Sequence, residues 1–303
     1  MINVYEQVDR NKRRSFVIIG LFISFICLVA YFFARLTGGG WDTVGLALIF
    51  SGIMSFASYY YSDKIILSIS GARPADKRTD FDFYTVAENL SLAAQVPMPK
   101  LYVIEDSAPN AFATGRDPKH AVICATTGLL EKLNRTELEG VVAHELSHVR
   151  NYDTRLMSIV VVLVGLVTLL ADWFLRGGLG RGRRSNDRED RGQAGAIFFL
   201  IAIVLTLLSP IIAQLIQLAI SRRREYLADA DGVMLTRYPE GLISALKKIS
   251  QDPEPLEAAN KATAHLFIVN PFKNSQGGIG AFANLFNTHP PVTERIAALK
   301  QME

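Results

Sequence analysis

The sequence NRTELEGVVAHELSHVR, residues 134–150, decides how this chain is interpreted. Asn134 followed three residues later by Glu137 is typical of a helix start, where the two side chains cap free backbone N–H groups. Apolar side chains then recur at helical spacing: Leu138, Val142 and Val149. The pattern predicts an α-helix that carries His144 and His148 in its middle. Because four residues make slightly more than one helical turn, both imidazoles face the same side and can bind one metal ion.

Glu145 completes the pattern His-Glu-x-x-His, in which two histidines bind zinc and the glutamate acts on a water molecule. By chance this pattern occurs in about one chain per hundred of this length, so its context has to support it. The alternative is a pair of solvent-exposed histidines on a surface helix. A third ligand elsewhere in the sequence distinguishes the two interpretations, because a catalytic zinc ion takes three protein ligands and keeps one position open.

The candidate for that ligand lies in SRRREYLADAD, residues 221–231. Glu225 supplies a carboxylate, and Asp229, one helical turn further on, can accept a hydrogen bond from a ligand imidazole. The arginines before them, Arg222 to Arg224, are predicted to lie at lipid headgroups, which is compatible with this role. We therefore predict one Zn²⁺ ion per chain with three protein ligands: His144, His148 and Glu225.

Four apolar runs interrupt the chain, and half of its 303 residues are hydrophobic, which is a high share for a soluble protein. About 20 apolar residues cross a bilayer as a helix. The predicted spans are residues 16–34, 44–61, 156–175 and 194–220, the last with a kink at Pro210. The first run is too long for a signal-peptide core and precedes no small-residue cleavage site, so we interpret it as a retained anchor.

Basic residues flank the first two spans at both outer ends, whereas the loop between them carries only Arg35. Positively charged flanks stay in the cytoplasm, so the soluble part is predicted to be cytoplasmic. The loop RGGLGRGRRSNDREDRGQ, residues 176–193, conflicts with this topology because four spans would place its arginines outside. The third and fourth runs are therefore predicted either to cross the bilayer or to lie shallow or re-entrant in it.

The fold class that follows is α+β: a zincin-like metallopeptidase domain with a small sheet and an active-site helix, fused to about four transmembrane helices. Residues 1–62 form an N-terminal membrane hairpin and residues 155–220 a second one. Residues 63–154 and 221–303 are the two parts of the peptidase domain. The first part is predicted to contain helices near 80–95 and 125–150 and strands near 100–105 and 119–125.

Charge and cysteine content exclude other functions. The net charge is only +3, so the chain lacks the broad basic face of a nucleic-acid binder. Cys27 and Cys124 lie far apart, in a predicted membrane helix and a predicted buried strand, and offer neither a disulfide framework nor a cysteine metal site. Any metal ion must therefore be bound by histidine and carboxylate side chains.

With these residues, the chain resembles the HtpX family of membrane-embedded zinc metallopeptidases, relatives of the CAAX prenyl endopeptidases. The resemblance covers nearly the whole chain. After two apolar spans come PNAFATG (109–115), AHELSH (143–148), SRRREYLADADG (221–232) and THPPVTERIAAL (288–299). The resemblance implies an endopeptidase of the bacterial cytoplasmic (inner) membrane whose peptidase domain faces the cytoplasm. It also implies a role in stress response, in the quality control of misfolded or damaged membrane proteins.

The resemblance further implies roles for single residues. The metal ligands would be those named above, and Glu145 would be the general base and later the proton donor. Four residues resemble an edge strand that pairs with an extended substrate backbone: Asn110, Ala111, Phe112 and Ala113. His289 resembles a position that stabilises the developing oxyanion, or else it caps the last helix. Tyr226 and Arg295 are weaker candidates for the oxyanion role.

Expected partners are the lipid bilayer and protein substrates that are membrane proteins or membrane-associated; homo-oligomerisation is left open. Two other functions also remain open. A CAAX-type prenyl-protein protease would use the same ligands but enclose a chamber with more spans. A non-catalytic zinc-containing membrane adaptor or holdase would have a closed site with four protein ligands, whereas three ligands with a glutamate beside the first histidine favour an open one.

Overall fold

The computed structural model describes residues 4–37, 40–181, 222–259, 263–271 and 290–302. Two long helices open the chain, α1 (Val4–Thr37) and α2 (Trp41–Ile69), and they pack against each other. Among the described residues, two stretches are long and apolar enough to cross a membrane, Val8–Phe32 and Trp41–Ile69. The first two predicted spans lie within these two helices.

The two faces of α2 reverse the arrangement of a soluble protein. Its buried face carries small hydroxyl side chains: Ser51, Ser55, Ser58 and Ser62. Its exposed positions carry large apolar side chains: Leu46, Ile49, Ile53 and Phe56. Small side chains let helices approach each other closely inside a bilayer, and large apolar side chains suit contact with lipid. The distribution is therefore the one expected of a helix surrounded by lipid.

The third apolar run belongs to α6 (Asp153–Arg181), which packs against α1 and α2. Its first turns are buried, and Leu156, Ile159 and Val160 share a core with the small sheet and α1. The loop predicted over residues 176–193 starts later than predicted, because α6 continues to Arg181. The rest of that loop and the fourth predicted span, residues 194–220, lie outside the described residues. The four-span topology therefore stays a prediction.

A four-stranded sheet lies at the centre of the described residues that follow α2. Its strands are β1 (Arg73–Pro74), β2 (Lys100–Ile104), β3 (Ala111–Thr114) and β4 (Val122–Thr126), in the order β1-β2-β4-β3. The central pair β2–β4 is parallel and the two outer pairs are antiparallel. The predicted strands near 100–105 and 119–125 correspond to β2 and β4. The latter starts later than predicted, because residues 118–120 form a 3₁₀ turn capped by Asp117.

The helix predicted near 80–95 is α3 (Phe81–Ala94), but the single helix predicted near 125–150 is wrong. The chain there forms α4 (Thr127–Lys132) and α5 (Arg135–Arg150). Asn134 Oδ1 accepts a hydrogen bond from Glu137 N at 3.0 Å, and Glu137 Oε2 accepts one from Asn134 N at 2.8 Å. This capping box confirms the predicted start of α5, and since a cap lies outside its helix, the preceding helix has to end before it.

In the described residues from 222 onwards, three α-helices pack near α5: α7 (Arg222–Thr236), α8 (Pro239–Gln251) and α9 (Val292–Leu299). α7 and α8 pack against α5 at two glycines. A Cβ atom on Gly232 of α7 would lie 3.2 Å from the His144 nitrogen, and one on Gly140 of α5 would lie 2.7 Å from the Leu242 nitrogen. These close approaches put α5, with both histidines, at the centre of the packed helices.

Candidate metal centre

Three side-chain ligands converge between α5 and α7. The Nε2 atoms of His144 and His148 lie 3.2 Å apart. Glu225 places Oε1 3.5 Å from His148 Nε2 and Oε2 3.8 Å from His144 Nε2. Tetrahedral zinc with ligand bonds of about 2.0–2.1 Å separates its ligand atoms by roughly 3.3 Å. The three side chains are buried and their ligand atoms lie within 4.8 Å of one another, so this donor set fits one metal ion.

Behind His144 stands a carboxylate–arginine pair. Asp229 Oδ1 lies 2.9 Å from His144 Nδ1, which directs the Nε2 atom of that ring toward Glu225 and His148. Arg295 donates to both oxygens of Asp229, from Nε at 2.8 Å and from Nη2 at 2.6 Å. Arg295 is completely buried. Asp229 is therefore fixed from both sides, by the imidazole and by the guanidinium group.

Charge and burial set the protonation of the metal-free site. Burial lowers the pKa of His144 to about 4, against the opposing effect of the hydrogen bond that its ring donates to Asp229. For Asp229, burial alone would raise the pKa, but the charge and hydrogen bonds of Arg295 lower it to about 2. His148 behaves differently, because its bond to Asp153 and the charges of Glu225 and Glu145 outweigh burial and raise its pKa to about 9.

Glu145 lies between these groups on the same helix. It is buried, and its negative charge acts to raise the pKa values of both His148 and Arg295. Ser147, two residues further along, donates to Asp231 Oδ2 at 3.0 Å and so belongs to the contact between α5 and α7. A glutamate next to the first histidine is the arrangement that allows a carboxylate to act on water at a metal ion.

The four residues expected in an edge strand lie in or next to β3, which is an outer strand of the sheet, and all four are buried. Asn110 directs its carbonyl to Thr126 at 3.0 Å, and alternation along an antiparallel pair turns Phe112 to β4 as well. Only Ala111 and Ala113 turn their backbone groups to the outer edge. The Ala111 carbonyl already accepts a hydrogen bond from Ile268 N at 3.0 Å.

The segment that pairs with Ala111 at this edge, residues 267–269, is held by several contacts. Asn110 Nδ2 donates to the Val269 carbonyl at 3.0 Å, and Arg295 Nη1 donates to the Ile268 carbonyl at 3.0 Å. Phe267 packs edge-to-face on Phe112, with ring centroids 5.1 Å apart. No local pattern predicted this pairing, because the segment has no strand-like alternation.

The oxyanion candidates are placed as follows. His289 lies outside the described residues. Tyr226 donates its hydroxyl to Glu294 Oε2 at 2.9 Å on an exposed surface. Arg295 directs Nε and Nη2 to Asp229, although Nη2 also lies 3.4 Å from His144 Nδ1. In the described part of the chain, both Tyr226 and Arg295 are thus engaged by carboxylates.

One expectation about the arginines is wrong. Arg222 and Arg223 are exposed, but Arg224 is buried and does not lie at a headgroup surface. Its Nη1 atom donates to Asp153 Oδ1 at 3.1 Å, and Asp153 Oδ2 accepts a hydrogen bond from His148 Nδ1 at 3.1 Å. Asp153 follows His148 by five residues, and this short spacing at the start of an apolar run is the only sequence signal that pointed to it.

Comparison with known proteins places the chain among peptidases. Residues 78–303 match Peptidase family M48. A Protease HtpX homolog of Caldanaerobacter subterraneus subsp. tengcongensis is 45% identical over 302 residues, covering 99% of this chain and 98% of that protein. The Protease HtpX homolog of Dictyoglomus thermophilum is 43% identical over 298 residues, covering 98% and 94%. The crystal structure of S. mikatae Ste24p is similar at a TM-score of 0.45 and 20% identity, covering 89% of this chain and 62% of Ste24p.

Proposed function

We propose that this chain, which belongs to peptidase family M48 and is similar to the HtpX homologues over its full length, is a membrane-anchored zinc-dependent endopeptidase. The observation that carries the proposal is the buried convergence of His144, His148 and Glu225 with Glu145 beside the first histidine. Two histidines and one carboxylate are a donor set that suits zinc, and three protein ligands leave the fourth position open.

In this proposal the protein's own residues divide the work of hydrolysis. A bound zinc ion would polarise the scissile carbonyl and lower the pKa of a water molecule. Glu145 accepts the proton of the attacking water and passes it to the leaving amine. Asp229 and Asp153 hold the two imidazoles so that each Nε2 lone pair faces the metal position. Oxyanion stabilisation is proposed for His289 rather than Arg295, because Asp229 already engages the guanidinium group of Arg295.

Substrate binding is proposed at the outer edge of β3. An extended peptide can add to a sheet edge through main-chain hydrogen bonds. Ala113 is the residue whose outward N–H and C=O groups are not bonded to another described residue, whereas Ala111 pairs with Ile268. The substrate would therefore form its main-chain hydrogen bonds with the backbone of Ala113. The buried side chains of Asn110 and Phe112 support the strand and do not face the peptide.

Location and substrate class follow from the two apolar helices. We propose a multi-pass protein of the bacterial cytoplasmic membrane with its peptidase domain in the cytoplasm, zincin-like in its metal site. The metal ligand His148 lies five residues before α6, whose first turns pack against α1 and α2, so the site is near the membrane surface. Substrates are proposed to be membrane or membrane-associated proteins, as in quality control of damaged proteins.

The test compares the detergent-purified wild-type chain with Glu145→Gln on an unfolded protein such as casein, with zinc and with a chelator. We expect zinc-dependent cleavage by the wild type and none by Glu145→Gln, which still binds zinc and folds. Full activity of Glu145→Gln would contradict the general-base assignment. Zinc binding without cleavage by either protein would favour the adaptor function, and cleavage restricted to prenylated peptides would favour a CAAX-type protease.

A further inference from the structure

His148 receives its carboxylate partner from the start of a membrane-proximal helix. Asp153 is the first residue of α6, and its Oδ2 atom accepts a hydrogen bond from His148 Nδ1 at 3.1 Å. The chain turns sharply between the two residues, with Tyr152 at a φ of 59°. The turn brings the Asp153 side chain back onto α5, where it is 2% exposed. The hydrogen bond between His148 and Asp153 therefore joins α5 to α6.

The other oxygen of Asp153 is held by side chains from two further helices. Asn11 of α1 donates from Nδ2 to Asp153 Oδ1 at 2.8 Å and to the Asn151 carbonyl at 2.9 Å. Arg224 of α7 donates from Nη1 to Asp153 Oδ1 and to Asn11 Oδ1, both at 3.1 Å. Asn11 is 1% exposed and Arg224 5%. The amide of Asn11 therefore bridges the carboxylate, the guanidinium group and the turn.

Burial gives these bonds their effect. A buried carboxylate without hydrogen-bond donors is strongly disfavoured, so the available donors determine the orientation that the carboxylate adopts. The partner of a metal-binding imidazole fixes its tautomer and its ring orientation. Asp153 can face His148 in one orientation only as long as Asn11 and Arg224 bind its far oxygen. Arg224 is also the neighbour of Glu225, so the same cluster fixes the start of α7 beside the third ligand.

We propose that α1 is a working part of the metal centre: Asn11, together with Arg224, positions Asp153 and through it His148. The three are positioning residues and touch neither metal nor substrate. This inference rests on the proposed metal site and adds that metal affinity depends on the docking of the first apolar helix against the peptidase domain. The helix is therefore more than an anchor. Removing it would remove Asn11, which donates a hydrogen bond to Asp153, and so would loosen the metal site.

The experiment measures zinc affinity of the full chain in detergent by competition with a chromophoric chelator, in a Glu145→Gln background that prevents self-cleavage. Outer partners of metal ligands are worth about 10–100-fold in metal affinity, and we expect a loss of that size for Asp153→Ala. Asn11→Ala should lose about 3–10-fold, because Arg224 still binds Asp153. The double variant Asn11→Ala/Asp153→Ala should be no weaker than Asp153→Ala, since Asn11 acts through Asp153.

The matched control is Ser15→Ala, one turn along the same face of α1. Ser15 is buried too, but its hydroxyl donates to the Asn11 carbonyl of its own helix at 2.9 Å. We expect wild-type zinc affinity from this variant. Asn11→Asp is a second probe of the same size, which keeps the packing but replaces the donor to Asp153 by a carboxylate, and it should also weaken zinc binding.

A purely structural role would lower the melting temperature of the metal-free protein without changing zinc affinity or the visible spectrum of the Co²⁺-substituted site. The inference predicts a changed Co²⁺ spectrum in Asn11→Asp and Asn11→Ala. Unchanged zinc affinity and Co²⁺ spectrum in both Asn11 variants would overturn the inference and leave the proposed function intact. Failure of the parent chain to bind zinc would instead remove the proposed function itself.

Discussion

The two histidines of the metal centre are held by different regions of the molecule. Behind His144, Asp229 of α7 and Arg295 of α9 are almost completely buried. Behind His148, Asp153 is held by Asn11 of the first apolar helix and by Arg224. The first carboxylate belongs to the core formed by the C-terminal helices, whereas the second is assembled where that core meets the long apolar helix α1 and the start of α6.

One metal site can therefore connect two different regions of the fold. Arg295 bonds both oxygens of Asp229 and also the Ile268 carbonyl, so it ties the His144 side to the edge of the sheet. On the other side, the far oxygen of Asp153 is shared between two donors from different helices. The His144 side is thus expected to govern the stability of the packing among α5, α7 and α9, and the His148 side the coupling of α5 to the apolar helices.

The largest effect that tests this contrast is expected for Arg295→Met. Removing one partner from a buried ion pair costs about 3–5 kcal/mol, because among the described residues it leaves the buried Asp229 carboxylate with His144 as its side-chain partner. The matched change, Arg224→Met, leaves Asp153 two other partners and should cost less, about 1–3 kcal/mol. Urea unfolding of the metal-free proteins in detergent measures the loss of unfolding free energy in both variants. Equal losses would show that the two carboxylates are held equally strongly.

A middle-sized effect is expected for Gly232→Ala, where α7 crosses α5. The new methyl group would lie 3.2 Å from the His144 nitrogen, so α7 has to shift at a cost of about 1–3 kcal/mol. The control is Gly52→Ala in α2, whose new methyl group meets no described atom within 4 Å. We expect a lower melting temperature and weaker zinc binding for Gly232→Ala and neither for Gly52→Ala. Loss of stability in Gly52→Ala alone would contradict the stated packing.

The smallest effect concerns pH and the start of α5. Burial alone would raise the pKa of Glu137, but hydrogen bonds from Lys248, Ser244 and the Asn134 backbone lower it below its ordinary value of 4.5. A carboxyl whose pKa is lower in the folded state stabilises that state above its ordinary pKa, and the contribution is lost as the pH falls through the folded pKa. Glu137→Gln should therefore cost about 0.5–1 kcal/mol at pH 7 and progressively less below pH 4.5.

Unfolding of wild type and Glu137→Gln across that pH range measures the difference. The group formed by Asn11, Asp153 and Arg224 provides the contrast, because Asn11→Ala removes no ionisable group. The stability difference between Asn11→Ala and wild type should therefore change less with pH than the difference caused by Glu137→Gln. A cost of Glu137→Gln that stays constant down to pH 3 would show that the carboxylate charge contributes nothing.

Local patterns in the sequence predicted the elements that local physics decides. The capping pair Asn134 and Glu137 sets the start of α5, and the four-residue spacing of His144 and His148 puts both rings on one face of it. The apolar runs predicted the two long helices at the N-terminus. Each of these follows from residues fewer than about 20 positions apart, because helix periodicity and capping act over that range.

Contacts between distant residues were decided only by the tertiary structure. Asn11 lies 142 positions from Asp153, and nothing in an N-terminal cluster of basic residues signals a bond to a carboxylate at the metal site. Arg224 was predicted to lie at the lipid headgroups, but it is buried between helices. The pairing of Ile268 with the edge of β3 is equally non-local. The physical reason is that a single buried hydrogen bond is satisfied by geometry across the fold, and such geometry leaves no periodic pattern in the chain.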